Sequence, residues 1–387
     1  MITRRTLLGS AALTVTWPGL APLASPAREA RFVLLILRGG LDGLAAVPAY
    51  GDADYQRARG GLAEAEPGEA DGLLDLDGFF GLHPALPGMH DLYRARELAV
   101  LHALAPPYRA RSHFDGQDVL EAGVPDPSGA STGWLYRALG VLPGAADPSQ
   151  MAMALGGAVP LVLRGARPVG AWAPDALPNP DEDTLARVLK LYAEDPLLGP
   201  SLTSGMASNA MAGTSGVAGR QSLAVAARAA IGFLSHPEGP RIAVLEGGGW
   251  DTHTNQRAQL SSRLAGLDEV IVDLRTGLGE HWADTTLVVV TEFGRTVAMN
   301  GTRGTDHGVG GVAFVMGGPV AGGRVYADWP GLASGRLYQG RDLQPTTDVR
   351  GLFRSVLVDH LRADANAVDE VVFPDARLPG IDGLIHG

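Results

Sequence analysis

Several apolar runs in this chain carry an ionisable or hydroxyl side chain at one end. LVVVTEFGRT, residues 287–296, ends its apolar stretch in Glu292 and, three residues on, Arg295. GTDHG, residues 304–308, brackets Asp306 and His307 with glycine and leads into a second apolar run at 312–316. LILRGGLDG carries Asp42 past the run at 32–37, and EGGGWDTH carries Asp251 and His253 past the run at 241–246. ARSHFD, residues 110–115, sets Ser112 at the start of a helix that follows the run at 98–103. Carboxylate oxygens and imidazole nitrogens gathered at one point suit Zn, Mn, Mg, Fe or Ca. A hydroxyl at a helix N-terminus lies in positive potential that suits an oxyanion, and beside a cation it becomes a nucleophile.

Each group also has a structural reading. Asp42 can cap a helix beginning near Leu44, and Ser112 can cap its own helix with Asp115 as partner. Asp251 can bond turn amides, Glu292 can pair with Arg295, and the Asp306-His307 pair can hold a loop. His102, inside a core run, reads as structural. What favours a site is coincidence of position. In an open parallel sheet the strand carboxyl ends share one edge, so residues far apart in sequence meet there.

The elements that would do this positioning are legible as patterns. Continuous apolar runs at 32–37, 98–103, 241–246, 287–291 and 312–316 read as core strands, the first as a parallel strand buried on both faces; 161–163 reads as a short strand. Helices are expected at 86–95, 112–121, 182–192, 221–234, 256–278 and 349–361; the fifth shows an apolar stripe of Leu260, Leu264, Leu267, Val270 and Leu274. Residues 51–81 read as a polar surface excursion, and 206–219 as a small-residue loop. Alternating strands and helices predict a three-layer α/β/α sandwich with a mainly parallel, doubly wound sheet.

The bulk numbers bound the rest. A chain of 387 residues has room for an ample core, here read as one domain over 28–387. A net charge of −11 argues against a nucleic-acid partner. The absence of cysteine excludes disulfides and thiolate-bound zinc. Thr3-Arg4-Arg5-Thr6-Leu7-Leu8, an apolar stretch to Thr16 and Ser25-Pro26-Ala27 form a twin-arginine signal pattern over 1–27. The mature chain is then expected to start at Arg28, outside the cytoplasm, periplasmic or secreted, with no integral membrane segment.

LILRGGLDGL, ARSHFDGQ, GGGWDTHTNQ, TEFGRTVAMNG and RGTDHG stand here in one order. On these motifs the chain is identified as a member of the domain of unknown function 1501 family, across essentially everything after Arg31. That family is similar to the alkaline-phosphatase-like superfamily, with its phosphatases, sulfatases and cofactor-independent phosphoglycerate mutases. The resemblance implies an alkaline-phosphatase-like fold and one or two divalent ions (Zn, Mn, Mg or Ca). Asp42, Asp251, His253, Glu292, Asp306 and His307 would hold them, and Ser112 would be the nucleophile. Arg111, Arg295 and Arg303 are the candidates to grip an oxyanion. One departure stands out: Glu292-Phe293 occupies the place of an Asp-His pair, so one expected imidazole is missing. The expected function is an exported hydrolase acting on a small phosphate or sulfate ester, with plain serine favouring phosphoryl transfer. The alternative is a non-catalytic periplasmic metal- or anion-binding accessory protein on the same scaffold. No protein partner is indicated.

Overall fold

The computed structural model describes residues 30–174 except 130, 145 and 146, then 188, 191, 192, 195 and 198–212, then 222–386 except 375 and 377. The expected signal segment and most of the expected helix at 182–192 lie outside the described residues.

The strands are β1 (Arg31–Arg38), β2 (Leu74–Asp75), β3 (Gly81–Leu82), β4 (Leu98–Ala105), β5 (Ala152–Leu155), β6 (Gly170–Trp172), β7 (Ile242–Gly248), β8 (Thr285–Thr291), β9 (Gly311–Met316), β10 (Arg324–Tyr326) and β11 (Thr347–Asp348). Nine of them form one sheet in the order β10-β4-β9-β8-β1-β7-β5-β6, with β11 also on β4; β2 and β3 make a separate hairpin. β1 pairs in parallel with β7 and β8, and β5 in parallel with β7 and β6. β9 is antiparallel to both its neighbours, β4 and β8. The sheet is therefore mixed but mostly parallel.

β1 explains why an unbroken apolar run was required. Val33, Leu35 and Leu37 face one layer, which includes the helices Pro87–Arg94, Leu223–Ser235 and Gln256–Leu278. Phe32, Leu34 and Ile36 face the other, which includes Trp134–Leu139 and Val349–Ser355. Both faces are covered, giving the expected α/β/α sandwich. Each fully buried side chain of this kind contributes about 1.5–3 kcal/mol. His102 is buried within β4, its Nε2 at 2.9 Å from the Val47 carbonyl and its Nδ1 accepting from Ala103 N, a structural role.

Three local expectations change. Residues 161–163 are a 3-10 turn, Leu161–Leu163, because three residues after Pro160 close an i to i+3 hydrogen bond instead of reaching a neighbouring strand. Part of the expected loop at 206–219 belongs to the helix Leu198–Ala212, whose alanines and methionines are good helix formers; 213–219 lies outside the described residues. The last expected helix is α-helical over Val349–Ser355 and continues as a π-turn over Val356–His360. Among the described residues, no helix is long and apolar enough to cross a membrane.

One edge of this sheet collects the loops that matter. Leu37 aligns with Thr291 and Arg38 with Gly248, so β1, β7 and β8 end level. β4 runs the same way as β8, since both oppose β9. The chain leaving β4 and the chain entering β9 therefore arrive at that same edge.

Candidate metal centre

Among the described residues, one ligand atom from each of His113, Asp251 and His307 lies within 4.8 Å of the others. His113 is the first residue of the helix His113–Ala122, after β4. Asp251 follows β7, and His307 precedes β9. His253 lies beside this group: its Nε2 is 2.9 Å from Asp251 Oδ1 and 3.0 Å from His307 Nε2. His307 Nε2 is 3.2 Å from Asp251 Oδ1, and His113 Nε2 is 3.5 Å from Asp251 Oδ2.

The opposite ring nitrogens settle the tautomers. His113 Nδ1 is 2.8 Å from Glu292 Oε1, His253 Nδ1 is 3.3 Å from Asp306 Oδ1, and His307 Nδ1 is 2.9 Å from the Arg111 carbonyl oxygen. Carboxylate and carbonyl oxygens only accept, so in each neutral ring the proton sits on Nδ1 and Nε2 presents a lone pair. Three lone pairs and a carboxylate then face one another. His113 Nε2 is buried and has no hydrogen bond. The fixed positive group beside them is Arg295, which donates to Asp251 Oδ1 and reaches none of the imidazole lone pairs. Donors about 2.0–2.1 Å from a shared tetrahedral ion stand roughly 3.3 Å apart; each histidine lies 2.9–3.5 Å from an Asp251 oxygen, and the atoms of His113, Asp251 and His307 all lie within 4.8 Å of one another. Outer acceptors on the second nitrogen are also how metal-binding histidines are oriented. The residues present fit a divalent cation.

The charges at the site act in two directions: Glu292, Asp251 and Asp306 are held ionised, whereas His113 is drawn toward its protonated form, a proton that a bound cation would displace. The hydrogen bond to Glu292 raises the His113 pKa above its ordinary value, against the effect of burial. Burial pushes Glu292 the other way, yet hydrogen bonds from His113, Gly39 N and Gln117 hold it below the usual carboxylate range. Asp251 is likewise lowered: burial raises it, but the Arg295 guanidinium and the nearby imidazoles outweigh that. Asp306 is lowered chiefly by the Asn300 side-chain amide. Burial lowers His307, favouring the neutral ring that can ligate.

The structure sorts the expected residues into distinct places. Asp251, His253 and His307 converge. Glu292 is fully buried behind His113. Its Oε1 accepts from Gly39 N at 2.8 Å, His113 and Gln117, and its Oε2 accepts from the Thr291 hydroxyl at 3.0 Å. Its contact with His113 fixes the direction of that ring. Asp306 does the same for His253, supported by Asn300. Asp42 is elsewhere in its bonding. It caps the short helix Gly43–Ala46 through Ala45 N and is ion-paired to Arg59 at 2.7 Å.

Of the three candidate arginines, Arg295 and Arg111 have guanidinium groups already engaged by protein acceptors. Arg295 is buried and donates to the carbonyls of Gly39, Gly40, Trp250 and Thr305 and to Asp251 Oδ1, so it ties the loops together and does not pair with Glu292. Arg111 donates to Asp342 and Gln339 and gives its backbone carbonyl to His307. Arg303 is exposed, with φ 61°. Ser112 occupies the N-cap position directly before His113, but its side chain makes no capping bond, and Asp115 accepts from the Tyr108 hydroxyl instead. Phe293 cannot ligate, yet its ring packs 4.9 Å from that of His113 and 5.0 Å from that of His307. His113 was missed by pattern reading because the Ser-cap motif drew attention to the hydroxyl beside it. The criterion used for the other residues, position just past a core strand, would have found it.

The site is open to solvent: the Asp251 and His253 side chains are each 41% exposed. A cleft of about 440 Å³ adjoins Asp306, with Val297, Met299, Leu332 and Leu337 on its walls and Arg57 and Arg341 among its polar residues.

No curated protein matches this sequence. Among solved structures, the chain is similar to an alkaline phosphatase from the Antarctic bacterium TAB5, at 12% identity and a TM-score of 0.36, covering 76% of this chain and 94% of that one. It is also similar to the C-terminal periplasmic domain of EcEptC from Escherichia coli, solved as a complex with Zn, at 10% identity and a TM-score of 0.39, covering 92% of each chain. A third is murine ectonucleotide pyrophosphatase/phosphodiesterase 5, at 10% identity and a TM-score of 0.29, covering 68% of this chain and 57% of that one. Four of the five motifs lie within the residues matched by a family model, 102–372: the chain belongs to the family described as protein of unknown function DUF1501.

Proposed function

We propose that this protein is an exported, metal-dependent hydrolase acting on a small phosphate or sulfate ester. The observation that carries the reading is the convergence of three imidazole lone pairs on Asp251, one of them from the residue next to Ser112. A divalent ion held there supplies the charge that offsets negative charge building on phosphoryl or sulfuryl oxygens. Ser112 attacks phosphorus or sulfur through Oγ, and the ester bond breaks. The departing alcohol takes the hydroxyl proton, and water later cleaves the seryl ester and restores Ser112. The cleft beside Asp306 offers space for the alcohol part of the substrate. Export rests on the twin-arginine pattern at residues 3–8.

The test is turnover by the chain from Arg28 on panels of phosphate and sulfate esters, beside Ser112→Ala and Asp251→Ala. The expected result is turnover by the parent chain and a loss of at least about 100-fold in both variants. Equal traces of activity in all three proteins sink the hydrolase reading. A second reading, metal binding without turnover, is favoured by the engagement of Arg295 and Arg111 with protein acceptors. A metal-loaded chain that hydrolyses no ester on either panel would establish it.

A further inference from the structure

We propose that the centre holds one divalent ion per chain, of the nitrogen-preferring Zn2+ type, through His113, Asp251, His253 and His307, and that Arg59 withholds Asp42 from it. This rests on the metal-binding part of the proposed function and specifies its ligands, count and ion class.

The argument is an accounting of oxygen donors at this edge of the sheet. Asp42 is 1% exposed. Its Oδ2 accepts from Arg59 Nη2 at 2.7 Å and from Gln256 Nε2 at 2.6 Å, and its Oδ1 accepts from Ala45 N at 3.2 Å. Neither donor is free to swing away. Arg59 is fully buried and also donates to the Val297 carbonyl at 3.0 Å. The Gln256 amide is fixed in direction, since its Oε1 accepts from the hydroxyls of Thr252 at 2.9 Å and Thr305 at 2.6 Å, which leaves its NH2 facing Asp42. A guanidinium therefore supplies the cation that Asp42 needs, and breaking this buried pair would strand a charge.

The other carboxylates are also committed. Glu292 Oε1 accepts three hydrogen bonds, from Gly39 N, His113 Nδ1 and Gln117 Nε2, on the Nδ1 side of the His113 ring and so away from the shared point. Asp306 lies on the Nδ1 side of the His253 ring, away from the shared point. What remains facing the centre is Asp251, whose Oδ1 also accepts from Arg295, and the Nε2 atoms of three histidines. That is a donor set for one ion, not two. Imidazole-rich sets select Zn2+ and its transition-metal neighbours over Mg2+ and Ca2+, which prefer all-oxygen shells.

The experiment strips the chain from Arg28 with chelator, reloads it with Zn2+ or Mg2+, and measures ions per chain by elemental analysis and affinity by chelator competition. The parent chain, Asp42→Asn, the double variant Asp42→Asn with Arg59→Met, and His113→Ala are compared. The double variant removes both buried charges together, so it reports even where Asp42→Asn alone fails to fold. One Zn2+ per chain is expected in the parent and in whichever Asp42 variants fold. His113→Ala should lose more than about 100-fold in affinity, beyond the 10–100-fold that loss of an outer partner costs. Mg2+ at equal concentration should not compete. Two ions per chain, loss of the ion in a folded Asp42 variant, parent-like affinity in His113→Ala, or preference for Mg2+ each overturns the proposal. The outcomes separate from the functional reading: one Zn2+ without ester turnover defeats only the hydrolase, and two ions with turnover defeats only this inference.

Discussion

Nδ1 of His113 lies 2.8 Å from Oε1 of Glu292, and this contact decides which nitrogen of the ring looks into the centre. Glu292 comes from the end of β8 and His113 from the helix after β4, two strands separated in the sheet by β9. Sheet topology thus makes the pair, and the pair turns Nε2 of His113 toward Asp251. An imidazole from another element, His113, stands where the Glu292-Phe293 sequence lacks one, its ring 4.9 Å from that of Phe293 and tilted by 34° to it.

Glu292→Gln tests that relationship with little change of shape. The amide oxygen can still accept from His113, but the negative charge that favours the bound geometry is gone. Zn2+ affinity should fall about 10–100-fold, with the ion count per chain unchanged at saturating metal. Competition against a chromophoric chelator measures it. An unchanged affinity would show that the negative charge of Glu292 contributes nothing to binding through the His113 ring.

The same pair predicts opposite pH slopes for the free and loaded protein. His113 is raised from its ordinary 6.5, so its contribution is fully present below 6.5 and is lost as pH rises through the folded value. Glu292 is lowered from 4.5, so its contribution is present above 4.5 and is lost as pH falls through the folded value. In chelator, the melting temperature should therefore carry the pair's full benefit between pH 4.5 and 6.5 and decline above it. With Zn2+ the slope should reverse above pH 6, because ligation requires unprotonated imidazole and each proton displaced favours binding at higher pH. Thermal melts from pH 5 to 8, with and without metal, give both slopes; parallel curves would speak against histidine ligation.

The strands were legible for a physical reason. Runs such as 32–37 and 287–291 are apolar at every position because both faces of the sheet are covered. The helix Gln256–Leu278 matched its expected span because its apolar stripe and the flanking turns mark both ends. Strand direction was not legible: nothing in the composition of 312–316 distinguishes an antiparallel β9 from a parallel one, since both bury the same side chains. The site was half legible. Position past a strand end brought out Asp251, His253 and His307. It did not separate ligands from the residues behind them, because Glu292 and Asp251 are alike in sequence and differ only in what donates to them. The Asp42–Arg59 pair depends on a polar excursion folding back over β1, a contact that no local pattern encodes.

Arg295 is expected to act on stability more than on chemistry. Its guanidinium satisfies the carbonyls of Gly39, Gly40, Trp250 and Thr305 along with Asp251 Oδ1. Arg295→Met should leave several buried acceptors unpaired at about 1–3 kcal/mol each, non-additively, for a total near 3 kcal/mol. Arg295→Lys should restore little, because a single ammonium cannot span the fork. Urea unfolding reads the loss. A variant of parent-like stability that has lost only ester turnover would instead assign Arg295 to the substrate.

Gly39→Ala tests whether the turn after β1 sets the geometry of the centre. Gly39 has φ +123°, a conformation that side chains rarely adopt, and its amide donates to Glu292 at 2.8 Å. A Cβ there would stand 2.6 Å from the backbone nitrogen of Asp251, a contact with rigid main chain that a rotamer change cannot relieve. The turn must then shift, and it carries with it both the donor that positions Glu292 and the segment that presents Asp251. Strain of this kind costs about 1–3 kcal/mol, so the variant should still fold, with a lowered urea midpoint. Its Zn2+ affinity should fall by more than that of Glu292→Gln, because an inner ligand and an outer partner move together. Affinity equal to the parent's in the folded variant would mean that the centre is positioned independently of this turn.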